Sequence, residues 1–296
     1  MLIPDYEAPQ ALIVPHGNFT IRHTLEGIAR EATEATGVIL LSTAPEESCS
    51  FVAASPHPER FSIVAAPLDT PWIRDRSPIA VREKRGCRWL SPLPHMPERE
   101  LDSRLFPSIL TRTCCGLNLV LPQGNLVGGP QGLALSTDRV MVDNGLGDEG
   151  DLAPFKKLLG IKEWLLLRSL ETDTIAHADC YARFLSPNLL ALANDPGNPP
   201  MTEVMTALRR EVGRLFPSME FVDIPVWFQG EMLQSALNWI QIDKLLLLPL
   251  FPDMTLNVQQ YIQKSLEYFS FKVVFIPSNT TEFGGALHCL TASVFL

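Results

Sequence analysis

Residues 11–41 read ALIVPHGNFTIRHTLEGIAREATEATGVILL, and this stretch decides the fold class. Ala11 to Val14 is a short apolar run ended by Pro15, the signature of a buried strand. From about Thr20 to Thr36 a helix is predicted, because Ile21, Leu25, Ile28 and Ala32 are spaced to share one face and Gly37 stops the run. Val38 to Leu41 is a second buried-strand signal. Strand, helix and strand in succession make an α/β unit.

Outward from this stretch the same alternation continues. Strands are predicted at Phe61 to Ala66, Pro78 to Val81 and Leu117 to Leu121, with helix from about Asp102. Leu133 to Val142 reads as two strands folded at Ser136-Thr137-Asp138. In the second half, helices are predicted at Asp151 to Leu159, Met201 to Leu215 and Leu256 to Phe269. Strands are predicted at Trp164 to Leu167, Tyr181 to Leu185, Leu189 to Ala193, Met219 to Ile224, Leu237 to Ile242, Leu245 to Leu250 and Lys272 to Ile276. A last strand spans Ala286 to Ala292. The elements group into roughly five strand-helix units with no repeat of identities, which a structural repeat does not require. No Gly/Ser-rich linker divides residues 1–296, so a single domain is expected. Glu83 to Ser103 and Asn194 to Pro200 are the best loop candidates.

The chain has 296 residues, 46% of them hydrophobic and 19% charged, with a net charge of -9. That length and balance suit a globular protein with a sizeable core. An acidic surface without clustered Lys and Arg argues against nucleic acid as a partner. No apolar run is long enough to span a bilayer, so no membrane partner is expected. Asp5 and Glu7 stand where a secretion signal would be basic. Six scattered cysteines (Cys49, Cys87, Cys114, Cys115, Cys180 and Cys289) include no C-x-x-C pair, which disfavours a zinc knuckle or dithiol redox site. The reading is a reduced, cytoplasmic protein, with Cys114-Cys115 packing in a helix end. Residues 124–129, with Gly124, Gly128 and Gly129, fit neither a phosphate loop nor a dinucleotide fingerprint.

Four local patterns carry chemistry-bearing side chains. They are Asp69 to Pro78 (DTPWIRDRSP), Pro122 to Asn125 (PQGN), Thr174 to Asp179 (TIAHAD) and Gly284 to Thr291 (GGALHCLT). Singly each has a bland structural reading; a lone cysteine in an apolar strand is usually a small buried hydrophobe. Their joint appearance, in this order, is the signal.

With these motifs in view, the sequence resembles the agmatine deiminase and bacterial peptidylarginine deiminase family of the guanidine-modifying superfamily, over nearly the whole chain. Asp69 to Pro78 looks like the family's Trp-x-Arg-Asp-x-Gly-Pro block. Gly124-Asn125 falls where the family has Glu-Gly-Gly-Asn, and His177-x-Asp179 followed by Ala182-Arg183-Phe184 looks like its His-x-Asp block. Ser235 to Trp239 looks like its Tyr-Leu-Asn-Phe block. Gly284 to Thr291 looks like its terminal Gly-Gly-Gly-x-His-Cys-x-Thr block. Pro4 to Pro9 and Val14-Pro15-His16 look like its opening. The resemblance implies a five-bladed pseudo-symmetric α/β propeller, the pentein fold, with the motifs converging on a central acidic cleft.

A guanidinium is planar, cationic and resonance-stabilised, so its carbon is a poor electrophile. Carboxylates must fix its N–H edges, a thiolate must attack the carbon, and an acid/base must protonate the leaving amine and then activate water. The resemblance implies Cys289 as nucleophile, His177 as proton shuttle, and Asp75 and Asp179 as the two carboxylates. Asp69, Trp72, Arg74, Asn125, Asn238, Gly284 and Gly285 are the implied substrate-binding set. The glycine pair would allow close backbone approach. His288 is expected to face away from Cys289 along an extended segment. No metal and no cofactor is called for, and the partner is a small cationic guanidine; a homo-oligomer remains open.

The match departs from the family pattern at Pro122-Gln123 and Gly128, where acids are replaced, and at Ile175-Ala176, which stand for a polar residue and Gly. It also departs at Thr70-Pro71 and in the short loop between Val142 and Asp151. The expected activity is a deiminase on agmatine, arginine or a related guanidine. Amidine transfer to an amine acceptor and a catalytically silent binding protein are the alternatives.

Overall fold

The computed structural model describes residues 1–94, 99–109, 114–280 and 285–295. The first sheet contains β1 (Ala11–His16), β2 (Gly37–Ser42) and β3 (Phe61–Ala65), with helix α1 (Arg22–Ala32) between β1 and β2 and α2 (Pro45–Ala53) before β3. The second has β4 (Ile79–Glu83), β5 (Gly86–Leu93) and β6 (Cys114–Val120), with α3 (Glu100–Ile109). The third has β7 (Val127–Gly128), β8 (Leu133–Thr137) and β9 (Glu163–Leu167), with α4 (Arg139–Asn144) and α5 (Ala153–Leu159). The fourth has β10 (Ala182–Ser186), β11 (Leu189–Asn194), β12 (Glu220–Gln229) and β13 (Met232–Ser235), with α6 (Pro199–Leu215). The fifth has β14 (Ile240–Ile242), β15 (Leu245–Leu250) and β16 (Lys272–Pro277), with α7 (Leu256–Glu267). Strand β17 (Ala292–Val294) returns to the first sheet and pairs with β1.

One pairing rule runs through all five sheets. A short first strand lies antiparallel to a second, and the second runs parallel to a third across a helical crossover: β17/β1/β2, β4/β5/β6, β7/β8/β9, β10/β11/β12 and β14/β15/β16. Parallel strands need such crossovers, and burial on both faces makes them near-continuous apolar runs. LLLLPL in β15 and LLALAN in β11 are examples. Helix ends follow local chemistry. Asn198 caps α6 by accepting from the Met201 amide at 3.1 Å, with Pro199 in the first turn. Gly160, at φ +66°, closes α5. The apolar face of α1 (Leu25, Ile28, Ala29 and Ala32) packs with Leu12, Val14, Val38 and Leu40.

The rule also decides where the site forms. Because the first strand is antiparallel, its start lies beside the middle of the second strand, and the residues that precede it continue toward that strand's carboxyl end. The registers Ile79↔Leu90, Val127↔Leu135, Ala182↔Leu192, Ile240↔Leu247 and Ala292↔Ile13 record this in each sheet. The turn entering each first strand therefore sits at the carboxyl ends of a parallel pair, the usual ligand-binding edge of α/β sheets.

Several expectations are corrected. Ser136 to Val142 does not turn back as a hairpin: β8 ends at Thr137 and α4 follows. Gly86 to Leu93, expected as loop, is β5, paired along both edges. Cys114 and Cys115 lie on β6, not in a helix end. Leu237 to Trp239 is not strand, since only Ile240–Ile242 pairs. β1 continues through Pro15 to His16; β17 pairs only with Ala11 to Ile13, so the missing Pro15 N–H breaks no ladder bond on that side. Of the expected strand from Ala286 to Ala292, Leu287 to Leu290 is a turn, and strand begins only at Ala292–Val294. Among the described residues no helix is long and apolar enough to cross a membrane.

Candidate active site

Four of the five strand-entry turns supply the convergent groups, and the fifth supplies space. Asp75 lies in the 3₁₀ turn before β4, Gly124 in the one before β7, and Asp179 in the one before β10 with His177 at its start. Asn238 precedes β14, and Cys289 lies in the Leu287–Leu290 turn before β17. Gly124 measures their convergence. A Cβ built there would lie 2.9 Å from His177 Nδ1 and 3.2 Å from both Asp179 Oδ2 and Asp75 Oδ1. Any side chain at 124 would thus enter the space between both carboxylates and the imidazole.

Cys289 is nearly buried and is held by Asn238. The Asn238 side-chain Oδ1 accepts from the Ala286 amide at 3.0 Å and the Cys289 amide at 3.3 Å. Its Nδ2 lies 3.2 Å from Cys289 Sγ and donates to Asp179 Oδ2 at 3.1 Å. The sulfur lies 3.9 Å from that same carboxylate oxygen. Burial, then the charges of Asp179 and Asp75, push the Cys289 thiol well above its ordinary value. Before a cation arrives, the group is a thiol.

Asp179 is fully buried. Its Oδ2 takes His288 Nδ1 at 2.7 Å and the Asn238 amide, whereas Oδ1 is buried with no hydrogen-bond partner among the described residues. Burial and the nearby Asp75 push its carboxyl up to about 6; His177, Arg183 and Arg74 pull the other way. His177 Nδ1 is likewise buried and unbonded, 3.6 Å from Asp75 Oδ1. That distance is too long for a hydrogen bond.

The implied substrate-binding residues separate into groups. Trp72 and Gly285 border the sulfur: a Cβ on Gly285 would lie 2.9 Å from the Trp72 ring and 3.3 Å from Cys289 Sγ, so only glycine lets the indole lie this close. Gly284 falls outside the described residues. Arg74 works from beneath. Its Nε donates to the His288 carbonyl at 3.0 Å, its amide to the Cys289 carbonyl at 3.2 Å and its Nη1 to Gln123 Oε1 at 3.2 Å. Burial lowers its guanidinium to about 10. Asp69 is exposed and accepts from the Leu101 amide at 2.8 Å, tying the start of α3.

Asn125 is a brace. Its Oδ1 accepts from the Thr137 amide at 2.9 Å and the Ala178 amide at 3.1 Å, and meets the Thr137 hydroxyl at 3.0 Å. It locks β8 to the turn that carries His177 and Asp179. Asn125→Ala would orphan buried donors, so a loss of about 2–4 kcal/mol is expected, readable as a lower midpoint in urea unfolding with unchanged slope. Ala176, where the family pattern has Gly, adopts φ +51°, a left-handed conformation that costs a non-glycine residue about 1–2 kcal/mol.

Three contributors were not legible as such. His288 was expected to face away, but a turn does not alternate its side chains, and the ring reaches Asp179. Arg183 is buried; its Nη1 donates to the carbonyls of Leu237 at 3.3 Å and Trp239 at 3.1 Å, on either side of Asn238. Asp5 pairs with Arg183 at 3.1 Å. Their only sequence signal was membership of resembling blocks.

The family model described as Porphyromonas-type peptidyl-arginine deiminase matches residues 9–294. The chain belongs to that family. This places it among deiminases that act on amidine groups and have the pentein α/β fold. No curated protein is matched by sequence. Among solved structures, the agmatine deiminase of C. jejuni is similar at TM-score 0.83 and 16% identity, over 100% of this chain and 96% of that one. The agmatine deiminase of Enterococcus faecalis is similar at TM-score 0.76 and 14% identity, over 99% and 95%. DDAH from Pseudomonas aeruginosa is similar at TM-score 0.53 and 10% identity, over 98% and 100%. At these identities the likeness is one of fold; the expected five-unit α/β architecture is the architecture of this family member.

Proposed function

We propose that this family member is a cysteine-dependent deiminase that converts the guanidine of a small cationic substrate to a ureido group and ammonia. The observation that carries the reading is the convergence of Asp179 Oδ2, Asp75 Oδ1 and His177 Nδ1 about Gly124, with Cys289 Sγ 3.9 Å from that same Asp179 oxygen and with Asp179 Oδ1 and His177 Nδ1 buried and without hydrogen-bond partners among the described residues. Buried polar atoms without partners are rare and need a reason. A planar cation that offers N–H groups in several directions supplies one: Asp179 and Asp75 accept from its edges while its carbon faces the sulfur.

The chemistry follows from the charges. Burial and two carboxylates hold Cys289 protonated in the free protein; the incoming guanidinium offsets the carboxylates' charge, so the thiol deprotonates with substrate bound and its proton passes to His177. The thiolate attacks the guanidinium carbon, and the C–S bond forms as the C=N electrons move to nitrogen. His177 gives its proton to one amino nitrogen, the C–N bond breaks and ammonia leaves, so that a covalent thiouronium remains. His177, now neutral, takes a proton from water. The hydroxide adds to the carbon, and the C–S bond breaks as the adduct's hydroxyl proton passes to the departing sulfur, which restores the thiol and releases the neutral ureido product; His177 then gives the proton it took from water to the freed ammonia. Desolvation favours attack, because the thiolate emerges in a nearly closed site.

His177→Ala is expected to cut kcat by about 10²–10⁴-fold with little effect on folding. The test is a colorimetric ureido assay across agmatine, arginine, methylated arginines and a peptidyl arginine, with ammonia measured in parallel. Equal ureido and ammonia release from one of these supports hydrolysis. A new guanidine on an added amine, with no ureido product, would replace the reading by amidine transfer. Silence with all substrates, together with no labelling of Cys289 by chloroacetamidine, would leave a binding protein.

A further inference from the structure

We propose that His288 is a positioning residue: a neutral imidazole that donates its Nδ1–H to Asp179 Oδ2, holding the carboxylate ionised and in a fixed orientation beside Cys289. This rests on the deiminase reading for its purpose, though not for its geometry. The His288 ring lies 2.7 Å from Asp179 Oδ2, the shortest contact that carboxylate makes. Its backbone is fixed on both sides, by the His288 amide donating to the Asn238 carbonyl at 3.0 Å and by Arg74 Nε donating to the His288 carbonyl at 3.0 Å. These bonds fix the backbone position from which the ring reaches Asp179.

The neutral state matters. A lysine or charged histidine here would form an ion pair with Asp179 and spend the charge that must attract substrate. An uncharged N–H orients and stabilises the carboxylate while leaving its charge available. Burial and the two guanidiniums of Arg183 and Arg74 hold His288 well below the ordinary histidine range, so it does not charge near neutral pH. Among the described residues the groups facing Asp179 sort by element, with the buried thiol of Cys180 beside it in its own turn. His177 and Arg183 come from its own turn and β10, Asp75 and Arg74 from the turn before β4. Asn238 comes from the turn before β14, and His288 and Cys289 from the turn before β17. Of these, His288 and Asn238 bond the carboxylate without carrying charge at neutral pH.

The test uses the full chain with ¹³C-labelled aspartate and no substrate, so its result does not depend on which guanidine, if any, is turned over. The Asp179 carboxyl is assigned by its loss in Asp179→Asn and followed by NMR against pH. In His288→Ala its midpoint is expected to rise by about one to two pH units. In His288→Asn the side-chain amide occupies the place of Nδ1, and the midpoint is expected to return toward that of the unsubstituted protein. Where a substrate has been found, the acid limb of kcat/KM should move with these midpoints. If His288→Ala does not fold, His288→Leu, which fills the volume without a donor, takes its place. An unchanged midpoint in the donor-less variant, or an asparagine variant that behaves like it, overturns the proposal. Failure of every guanidine to react, with the midpoints moving as stated, overturns the deiminase reading and leaves the hold of His288 on Asp179 standing.

Discussion

Cys289→Ala is expected to abolish ureido formation, with a loss in kcat on the order of 10⁴–10⁶-fold, while the protein stays folded and still binds guanidine. The sulfur is the group placed to form the covalent intermediate, and no other thiol substitutes for it. Cys180 is buried and lies 3.5 Å from Asn238 Nδ2, but burial and the charges of Asp179 and Cys289 raise it far above the thiolate range. The substitution removes one atom from a site whose frame is mostly backbone. Asn238 keeps its bonds to the Ala286 and Cys289 amides and to Asp179. Thermal unfolding should therefore move little, and calorimetry should still detect binding of the substrate the ureido assay identifies. Retained turnover in this variant would remove Cys289 from the mechanism, and with it the covalent route.

Asp179→Asn is expected to be nearly as inactive and, at pH 8, more stable than the unsubstituted protein. A carboxyl raised from 3.8 to about 6 binds its proton more tightly in the folded state than in the unfolded chain. The sign follows: this group's contribution to stability is fully present below pH 4, is lost as pH rises toward 6, and stays lost above it. The cost at neutral pH is roughly 3 kcal/mol for the fully buried charge. An amide of the same shape removes that charge, and its oxygen can still accept from His288. The gain should therefore appear as a higher Tm at pH 8 that shrinks toward pH 4. Activity should fall because the guanidinium loses a charged acceptor. A variant destabilised at pH 8 would mean that Arg74 and Arg183 outweigh the burial cost of the Asp179 charge. Keeping such a costly carboxylate fits a general trade-off, in which active sites hold groups that the fold alone would discard.

Local patterns carried much of this molecule. Apolar runs marked the strands of the parallel pairs, such as Leu245 to Leu250 and Leu189 to Ala193, because burial on both faces requires continuous apolar side chains. Helical spacing marked α1, α6 and α7. The short antiparallel first strands were harder to read. β7 has two residues and β17 has three, so each is held by its partner rather than by its own propensity, and the partner of β17 is β1 at the other end of the chain. β13 was not foreseen, and β5 was mistaken for loop because polar and proline residues suit a strand exposed along part of its length. The last turn was misread for a similar reason: Ala286 to Ala292 is apolar enough for a strand, yet Asn238 and Arg74 bend it by taking its amides and carbonyls.

By itself the sequence determined the alternation of strand and helix, the type of chemistry its side chains can perform, and the positions of the thiol, imidazole and acids along the chain. Tertiary structure alone decided their relation. Pairing of β17 with β1 brings the C-terminal turn to the N-terminal strand, and the repeated antiparallel first strand aims successive turns at one point. It also made His288 a partner of Asp179, Asn125 a brace and Asp69 a helix tie. The reason is that an amino acid's type sets what bonds it can make, whereas distance and burial set which of those bonds it does make; both depend on residues far away in the chain.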